Sequence, residues 1–434
     1  MRIGVRVTAR EISAVALDAM GGLTSVRLLV ARCLTRAVIG VLDRVIAVAG
    51  GTVSSVVFDA SGALTRDTAA GVVSVLIEPR RSPEPRRHLW AQEGIPVQVE
   101  HVRGGHTALG LELVPLDEDA LREIAARIPA GAHVVVSAAG SLVNPDHERR
   151  AAELLRSSLS FGSITESSAF YSDGLLVREF TAVLNSLLMA SAERLAASLS
   201  DAVLHSAGAG VRAFVATNEG GCTPLTRLPI TPVHSMRADV AGEMLGGAAV
   251  ASRSAGRIVV AGHDAVRIGE FVDGLPSVVS RAALRDGTSL ASSFAHVVPL
   301  TDLLLSGSAE PPVTILVEGA EAVLAPFGLA PSHDTDVDLV ALGAAVVPMS
   351  YWHNRVASVL GVEDIQRALS DGETIARANL VAWGAHPGGV SITESRVLAT
   401  TYGEAQMIRI RVRGTADFPV VGVAVDGRRG ADAR

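Results

Sequence analysis

The feature that most constrains the fold is a strand–turn–strand pattern that occurs twice, at residues 2–18 and at residues 257–274. In the second copy a β-branched run at 258–260 stops at a turn containing Gly262, and a further strand-like run ends in the Asp-Gly pair at 273–274. Short apolar runs joined by a glycine-containing turn are typical of a β-hairpin. The repetition predicts a chain of two halves that each open with a hairpin.

Composition limits the chemistry that this chain can use. Its 434 residues predict two or three domains, and 48% hydrophobic with only 3% aromatic residues predicts a core of Val, Leu and Ala. The net charge of −7 and the lack of a basic block argue against a nucleic-acid partner. The sequence has no lysine, so all 38 basic residues are arginine. Schiff-base chemistry and a Walker-type phosphate lysine are therefore excluded.

Cysteine use and the pattern of apolar segments indicate the compartment. Cys33 and Cys222 form neither a disulfide framework nor a zinc site by their spacing, which predicts a reducing cytoplasm. The N-terminus enters a strand-like run directly, without the pattern of a signal peptide. No uninterrupted apolar run reaches the roughly 18 residues of a membrane span. We therefore expect a soluble, cytoplasmic protein.

Apolar periodicity predicts several helices. A helix is expected at 32–43, followed by a strand at 44–49, and a second helix is expected at 337–349. Apolar residues at helical spacing predict a long helix over 175–205 that could bridge two halves of the molecule.

Two segments carry a resemblance to a known family: LVNPDHERRAAELL at 142–155 and LLVREFTAVLN at 175–185. With the two hairpins, they resemble the hydantoinase A-like subunits of the hydantoinase/oxoprolinase family. The resemblance implies an α/β, two-lobed actin-like ATPase (ribonuclease H-like) fold, with mixed sheets flanked by helices. It also implies a hydantoinase/oxoprolinase-like lobe at 1–170, a second actin-like lobe with a hydantoinase A-like core at 171–375, and a C-terminal α/β segment and tail at 376–434.

The hairpins depart from the family pattern at the residues that bind magnesium. The family reads Asp-x-Gly-Gly-Thr-x-Thr-Asp in both hairpins, and its aspartates hold the ion. Here the two aspartate positions become Arg6 and Ser13 in the first hairpin, and Val260 and Arg267 in the second. Hard divalent cations need oxygen ligands, so we expect the magnesium site to be lost and predict no metal ligands.

The resemblance also marks residues near a nucleotide. Thr52 and Gly319 fall in loops that contact phosphate or nucleoside in the family, and Gly262 survives from the glycine pair of the second hairpin. Arg6 and Arg267 could clamp a phosphate or carboxylate without metal, because a guanidinium binds such oxygens in a bidentate manner.

The alternative is that these two arginines form ion pairs with Glu11, Asp264 or other carboxylates and hold a closed cleft. His263 beside Asp264 could transfer protons, although neighbours in sequence rarely point together. Cys222 could be a nucleophile, or a buried inert thiol.

Asn218 and Glu219 are the candidate catalytic residues. They match the Asn-Asp-Gly turn of the family, where Glu219 would act as acid or base. Read alone, Asn-Glu-Gly is an ordinary turn.

The functional prediction has two forms. The first is a divergent family member impaired in Mg-ATP binding, a pseudoenzyme that serves as a subunit or regulatory scaffold or uses altered, metal-free chemistry. The second is an active ATP-dependent hydrolase of a cyclic amide (hydantoin, 5-oxoproline or lactam), or a related ATP-driven carbonyl-activating enzyme. ATP is the only cofactor considered. The expected partners are a hydantoinase B-like or other subunit or a second copy, and a small-molecule ligand.

Overall fold

The computed structural model describes residues 1–18, 20–30, 33–67, 71–81, 97–158, 162–172, 174–280, 282–283, 289–300, 311–399 and 407–416. The chain begins with three antiparallel strands, a helix and a fourth strand: β1 (Arg2–Val7), β2 (Glu11–Leu17), β3 (Leu23–Leu29), α1 (Leu34–Ala49) and β4 (Ser55–Asp59). The strand predicted at 44–49 is wrong, because α1 continues to Ala49. Val38, Val41, Leu42 and Val45 recur at helical spacing on its buried face.

A smaller α/β unit follows, and it contains the segment at 142–155 that the sequence singled out. Its elements are β5 (Val72–Glu78), β6 (Val97–Arg103), β7 (Gly105–His106), β8 (Glu112–Val114), α2 (Glu118–Ala125), β9 (His133–Ala138), α3 (Asp146–Ser158) and β10 (Ser163–Glu166). A parallel sheet of order β10-β9-β5-β6 forms its centre.

The predicted long helix then crosses the molecule. It is α4 (Leu175–Ala207), followed by β11 (Arg212–Ala216), β12 (Cys222–Pro224) and α5 (Ala238–Val250). By length and composition alone α4 could cross a membrane, but most of its apolar stretch is buried inside the fold. Such burial is that of a core helix.

The second hairpin opens the next unit, as predicted. Its strands are β13 (Gly256–Ala261), β14 (Val266–Val272), β15 (Leu275–Pro276), β16 (Val278–Val279), β17 (Ala282–Ala283), β18 (Ser289–Leu290), β19 (Phe294–Ala295), β20 (Val297–Pro299), β21 (Val313–Val317) and β22 (His333–Thr335). Its helices are α6 (Glu321–Leu324) and α7 (Leu339–Val346). The helix predicted at 337–349 is thus shorter, because the chain re-enters a strand at Met349.

The C-terminal part returns to the first sheet. It comprises β23 (Met349–Ser358), α8 (Val362–Ala382), β24 (Val390–Ala399) and β25 (Met407–Ala416). The main sheet has the order β24-β25-β23-β12-β11-β4-β1-β2-β3, so it contains strands from all three predicted segments. The second sheet has the order β15-β14-β13-β21-β22, with β20 also on β14. The domain boundaries at 170 and 375 stay a prediction.

Helices α5 and α7 pack against each other between these two sheets. α7 lies against β1, β2 and β4, and α5 lies against β13. Their shared core joins side chains of both sheets, including Val57 from β4 and Val260 from β13. The result is the two-lobed α/β fold expected from the sequence, with both hairpins directed at the helix pair.

Candidate functional site

The first hairpin is tied to α7 through the two positions at which the resemblance expects aspartate. Arg6 and Ser13 are direct cross-strand neighbours on β1 and β2. Arg6 Nη1 lies 3.3 Å from Asp338 Oδ2, and Ser13 Oγ donates to the same oxygen at 2.5 Å. The other oxygen of Asp338 accepts from the backbone N–H groups of Val340 and Ala341, so Asp338 is also the N-cap of α7.

The second hairpin is tied to α5 in the same way. Arg267 lies opposite Val260 and forms two ion pairs, with Glu243 Oε2 of α5 and with Asp264 Oδ2 of the turn, both at 2.8 Å. Burial raises the pKa of Glu243, although Arg267 acts in the opposite direction. A β-carbon at Gly262 would lie 2.9 Å from Glu243 Oε1, so the surviving glycine leaves room for this carboxylate.

Two further carboxylates lie between the hairpins. Asp59 at the end of β4 is buried, and burial together with the nearby charge of Asp239 raises its pKa to about 7. Ser61 donates to Asp59 from its backbone N–H at 3.2 Å and from its hydroxyl at 3.1 Å. Asp239, in the first turn of α5, also acts on Arg6 and on Glu243, so one electrostatic cluster joins both hairpins.

The predicted nucleotide residues separate into two groups. Gly319 follows β21, which pairs in parallel with β13, and a β-carbon there would lie 3.6 Å from the ring of His263. It therefore lies at the same end of the sheet as Gly262. Thr52 precedes β4 and accepts from the N-terminal amine through its carbonyl oxygen at 2.7 Å. Since β1 and β4 run parallel, Thr52 lies at the opposite end of these strands from Arg6, and the structure does not bring the two together.

Sequence reasoning named the arginines but missed most of their partners. Of the carboxylates in this cluster only Asp264 was named, whereas Asp59, Asp239, Glu243 and Asp338 were not. The one local signal was an aspartate directly before the apolar run of α7, which is a capping pattern. Glu11 pairs with Arg27 on the neighbouring strand and not with Arg6.

Asn218 and Glu219 have different surroundings at the turn after β11. Asn218 Nδ2 donates to the carbonyl of Val233 at 2.9 Å, and its Oδ1 accepts from the backbone N–H of Arg237 at 2.8 Å. These contacts anchor the turn. Glu219 is buried and accepts from the hydroxyl of Thr217 at 2.7 Å. Burial raises the pKa of Glu219, and Arg413 opposes the shift.

Glu219 lines a cavity of about 490 Å³ between the main sheet, the segment at 168–171 that precedes α4 and the segment around Ser292. His234 lies in its wall with Nδ1 2.8 Å from Ser292 Oγ, and burial lowers the pKa of this imidazole to about 4. The neutral imidazole of His234 and the carboxyl group of Glu219, whose pKa is raised, can each exchange a proton with a ligand in this cavity.

The other residues considered as a nucleophile or as metal ligands are not arranged for either role in the described part of the chain. Cys222 is buried beside Arg2, and burial raises the pKa of its thiol to about 11. Asp264 faces solvent and pairs with Arg267. Within the ranges that the structure describes, no three His, Cys, Asp or Glu side chains come together as metal ligands. At hairpin positions 6, 260 and 267 the chain has arginine and valine side chains, which supply no oxygen ligand for a magnesium ion.

Comparison with known proteins supports the family. Residues 77–159 match the profile of the hydantoinase/oxoprolinase N-terminal region. The fold is similar to that of nucleotide-free acetone carboxylase, an ATP-dependent enzyme, with a TM-score of 0.68 and 11% identity over 98% of this chain and 88% of the other. It is equally similar to the ATP-dependent caprolactamase from Pseudomonas jessenii, with a TM-score of 0.68 and 13% identity over 96% and 87% of the two chains.

No curated protein matches the chain by sequence. The N-terminal region match and the shared actin-like ATPase fold together confirm the resemblance seen in the sequence. Residues 77–159 are thus similar to the hydantoinase/oxoprolinase N-terminal region, and they lie in a chain whose fold is similar to the folds of these two ATP-dependent enzymes.

Proposed function

We propose that this chain is a family member in which internal ion pairs have replaced the magnesium–nucleotide site, and that it acts as a subunit or regulatory scaffold. The observation that carries the proposal is that both arginines at former aspartate positions already have carboxylate partners. Arg6 pairs with Asp338, and Arg267 pairs with Glu243 and Asp264. The guanidinium groups are thus engaged within the protein and are not free to neutralise a triphosphate.

The charge balance of the cluster supports the same proposal. Two arginines face five carboxylates: Asp59, Asp239, Glu243, Asp264 and Asp338. Without a metal ion, added phosphates would meet like charges, and each close pair costs a few kcal/mol at the effective dielectric of a protein site. A triphosphate would have to break the ion pairs and bury more negative charge.

Calorimetry tests this proposal directly. We expect no saturable heat on titration with ATP, with or without magnesium, up to millimolar concentration. Tight binding that requires magnesium would overturn the proposal. Binding without magnesium that is lost in Arg6→Ala or Arg267→Ala, but kept in Arg10→Ala, would replace it with the clamp predicted from the sequence. Arg10 is a matched control because it is exposed in the turn of the same hairpin.

One observation favours a second candidate, an ATP-dependent hydrolase of a cyclic amide. Glu219 combines burial, a raised pKa and a position in the wall of the large cavity, as a general acid or base requires. Turnover of hydantoin, 5-oxoproline or caprolactam with ATP, abolished in Glu219→Gln, would establish this activity. We expect none from the isolated chain.

The scaffold role implies a partner, which we propose to be a hydantoinase B-like subunit or a second copy of the chain in the cytoplasm. The match of residues 77–159 to the hydantoinase/oxoprolinase N-terminal region supports this part of the proposal. Native mass spectrometry of the purified protein, alone and after co-expression with neighbouring reading frames, distinguishes these assemblies from a monomer.

A further inference from the structure

Four of the six tyrosine and tryptophan residues in this chain line the large cavity. The sequence contains three tryptophans and three tyrosines, and two of each line this one cavity: Tyr171, Tyr351, Trp352 and Trp383. All four are half-buried. Tyr351 and Trp383 meet edge to face with centroids 5.4 Å apart. Half-buried aromatic rings at a cavity wall supply flat apolar contact area together with a polar group at the rim.

The same wall carries an excess of positive charge. Three arginines line the cavity, Arg227, Arg355 and Arg409, against the single carboxyl group of Glu219. Among the described residues, Arg227 and Arg355 form no ion pair. Arg227 is close enough to act on both His234 and Tyr351. Burial lowers the pKa of His234 to about 4 and Arg227 adds to this shift, whereas burial raises the pKa of Tyr351 and Arg227 opposes that shift. Burial and Arg355 lower the pKa of His353, so neither histidine adds a positive charge at neutral pH.

Two aromatic rings are held in place by arginines that stack on them. The guanidinium carbon of Arg409 lies 3.8 Å from the ring centroid of Tyr171, and that of Arg411 lies 4.5 Å from the centroid of Trp352. These stacked pairs fix the orientation of the rings before a ligand arrives, which reduces the entropy lost on binding. The wall is therefore preorganised for a flat ligand.

The strand that carries Tyr351, Trp352 and Arg355 has an open edge in the cavity. β23 pairs with β25 along its whole length, but on its other side only Met349 pairs with another described strand, through Cys222 of β12. Every residue from Ser350 to Val356 lines the cavity. Backbone groups on an unpaired strand edge can bond to a ligand as well as the side chains can.

We propose that this cavity binds a small planar organic anion, an aromatic or heteroaromatic carboxylate, between its aromatic residues and the arginines Arg227 and Arg355. The cavity volume of about 490 Å³ accommodates one or two rings. A guanidinium binds a carboxylate in a bidentate manner, and aromatic side chains stack on the ring of the ligand. The proposal does not depend on whether the chain binds nucleotide.

The test uses matched probes with neither nucleotide nor metal present. Benzoate and indole-2-carboxylate are titrated by calorimetry and by quenching of tryptophan fluorescence, alongside benzamide, indole-2-carboxamide and cyclohexanecarboxylate. We expect saturable 1:1 binding of at least one aromatic carboxylate, at least about tenfold tighter than its amide counterpart and than the non-planar acid.

Variants locate the binding site. The double variant Arg227→Gln/Arg355→Gln should weaken binding at least about tenfold, and Trp383→Leu should weaken it and reduce the quenching. Arg44→Gln is the matched control, an exposed arginine on α1 far from the cavity in sequence and fold. Equal affinity for acid and amide, no saturable binding of either carboxylate, or unchanged affinity in the double variant would each overturn the proposal.

Discussion

At the scale of single residues, the cleft between the two hairpins contains charged side chains, and two of them are arginines. Arg6 and Arg267 stand at positions where the family has aspartate, and each is held by a carboxylate from a helix. Under the proposed function, a cation that is part of the chain takes the place of a metal ion that must be captured. Its position is fixed at folding and no longer depends on a ligand.

Asp59 should make the protein less stable as the pH rises. Its pKa is raised from 3.8 to about 7, so the folded state binds a proton that the unfolded state releases. The free energy of unfolding therefore falls between about pH 4 and pH 7 and loses no more from this group above that range. Asp59→Asn should remove the effect and stabilise the protein by roughly 1–3 kcal/mol at pH 8, and by less at pH 5.

Urea unfolding of both proteins at the two pH values measures this difference. The asparagine oxygen can still accept from the backbone N–H of Ser61, and its amide NH2 can donate to the hydroxyl of Ser61, which makes the substitution conservative. An equal effect of the substitution at pH 5 and pH 8 would contradict the raised pKa.

At the scale of elements, the hairpins and the two central helices form a single unit. α5 and α7 approach so closely that glycine is required at their contact. A β-carbon at Gly246 would overlap the carbonyl group of Leu339, and one at Gly343 would overlap that of Gly242. The same two helices hold Glu243 and Asp338, the partners of the arginines, so the helix contact sets the geometry of the cleft.

Gly246→Ala should therefore destabilise the protein by roughly 2–4 kcal/mol, because the added methyl group forces the helices apart. Gly210→Ala is the control, since an added β-carbon there meets no atom within 4 Å. Thermal unfolding by circular dichroism compares the two. A change of less than about 1 kcal/mol in Gly246→Ala would show that the helices separate freely.

At the scale of the whole molecule, the last strands of the described chain complete the sheet that the first strands begin. β25 pairs with β23 over ten residues and buries Met407, Ile410 and Val412. It also carries Arg409, Arg411 and Arg413, which reach the cavity wall or stack on its aromatic residues. Folding and formation of the cavity are thus coupled through a segment far from both hairpins in sequence.

Removal of residues 387–434 should lower the melting temperature by roughly 10 °C or more, because each buried apolar side chain of β25 contributes about 1.5–3 kcal/mol. Deletion of residues 417–434 alone removes no described strand and serves as the control. Differential scanning calorimetry measures both. If the longer deletion melts like the full chain, β24 and β25 do not contribute to the cooperative core.

Several elements could be predicted because their signals are local. The two hairpins are encoded by β-branched runs and turns, and α4 by apolar residues at helical spacing that place the predicted end within a few residues of Ala207. The strand predicted at 44–49 failed because its β-branched residues also fit a helix, and packing of α1 on α4 decided between them. Helix α8 was missed because Gly372 interrupts its pattern, although that glycine lies close against His353 and Val412.

The sequence by itself determined the resemblance to the hydantoinase/oxoprolinase family, the fold class and the presence of arginine where the resemblance expects aspartate, because these depend on motifs read in order along the chain. Only the tertiary structure decided what the replacing arginines contact. Asp338 is 332 residues from Arg6, and Glu243 lies on a helix whose apolar pattern gives no hint of an ion pair. The aromatic and arginine wall of the cavity is likewise assembled from distant segments. Charge complementarity and packing act between elements that are distant in sequence. These contacts therefore cannot be predicted from the spacing of residues along the chain.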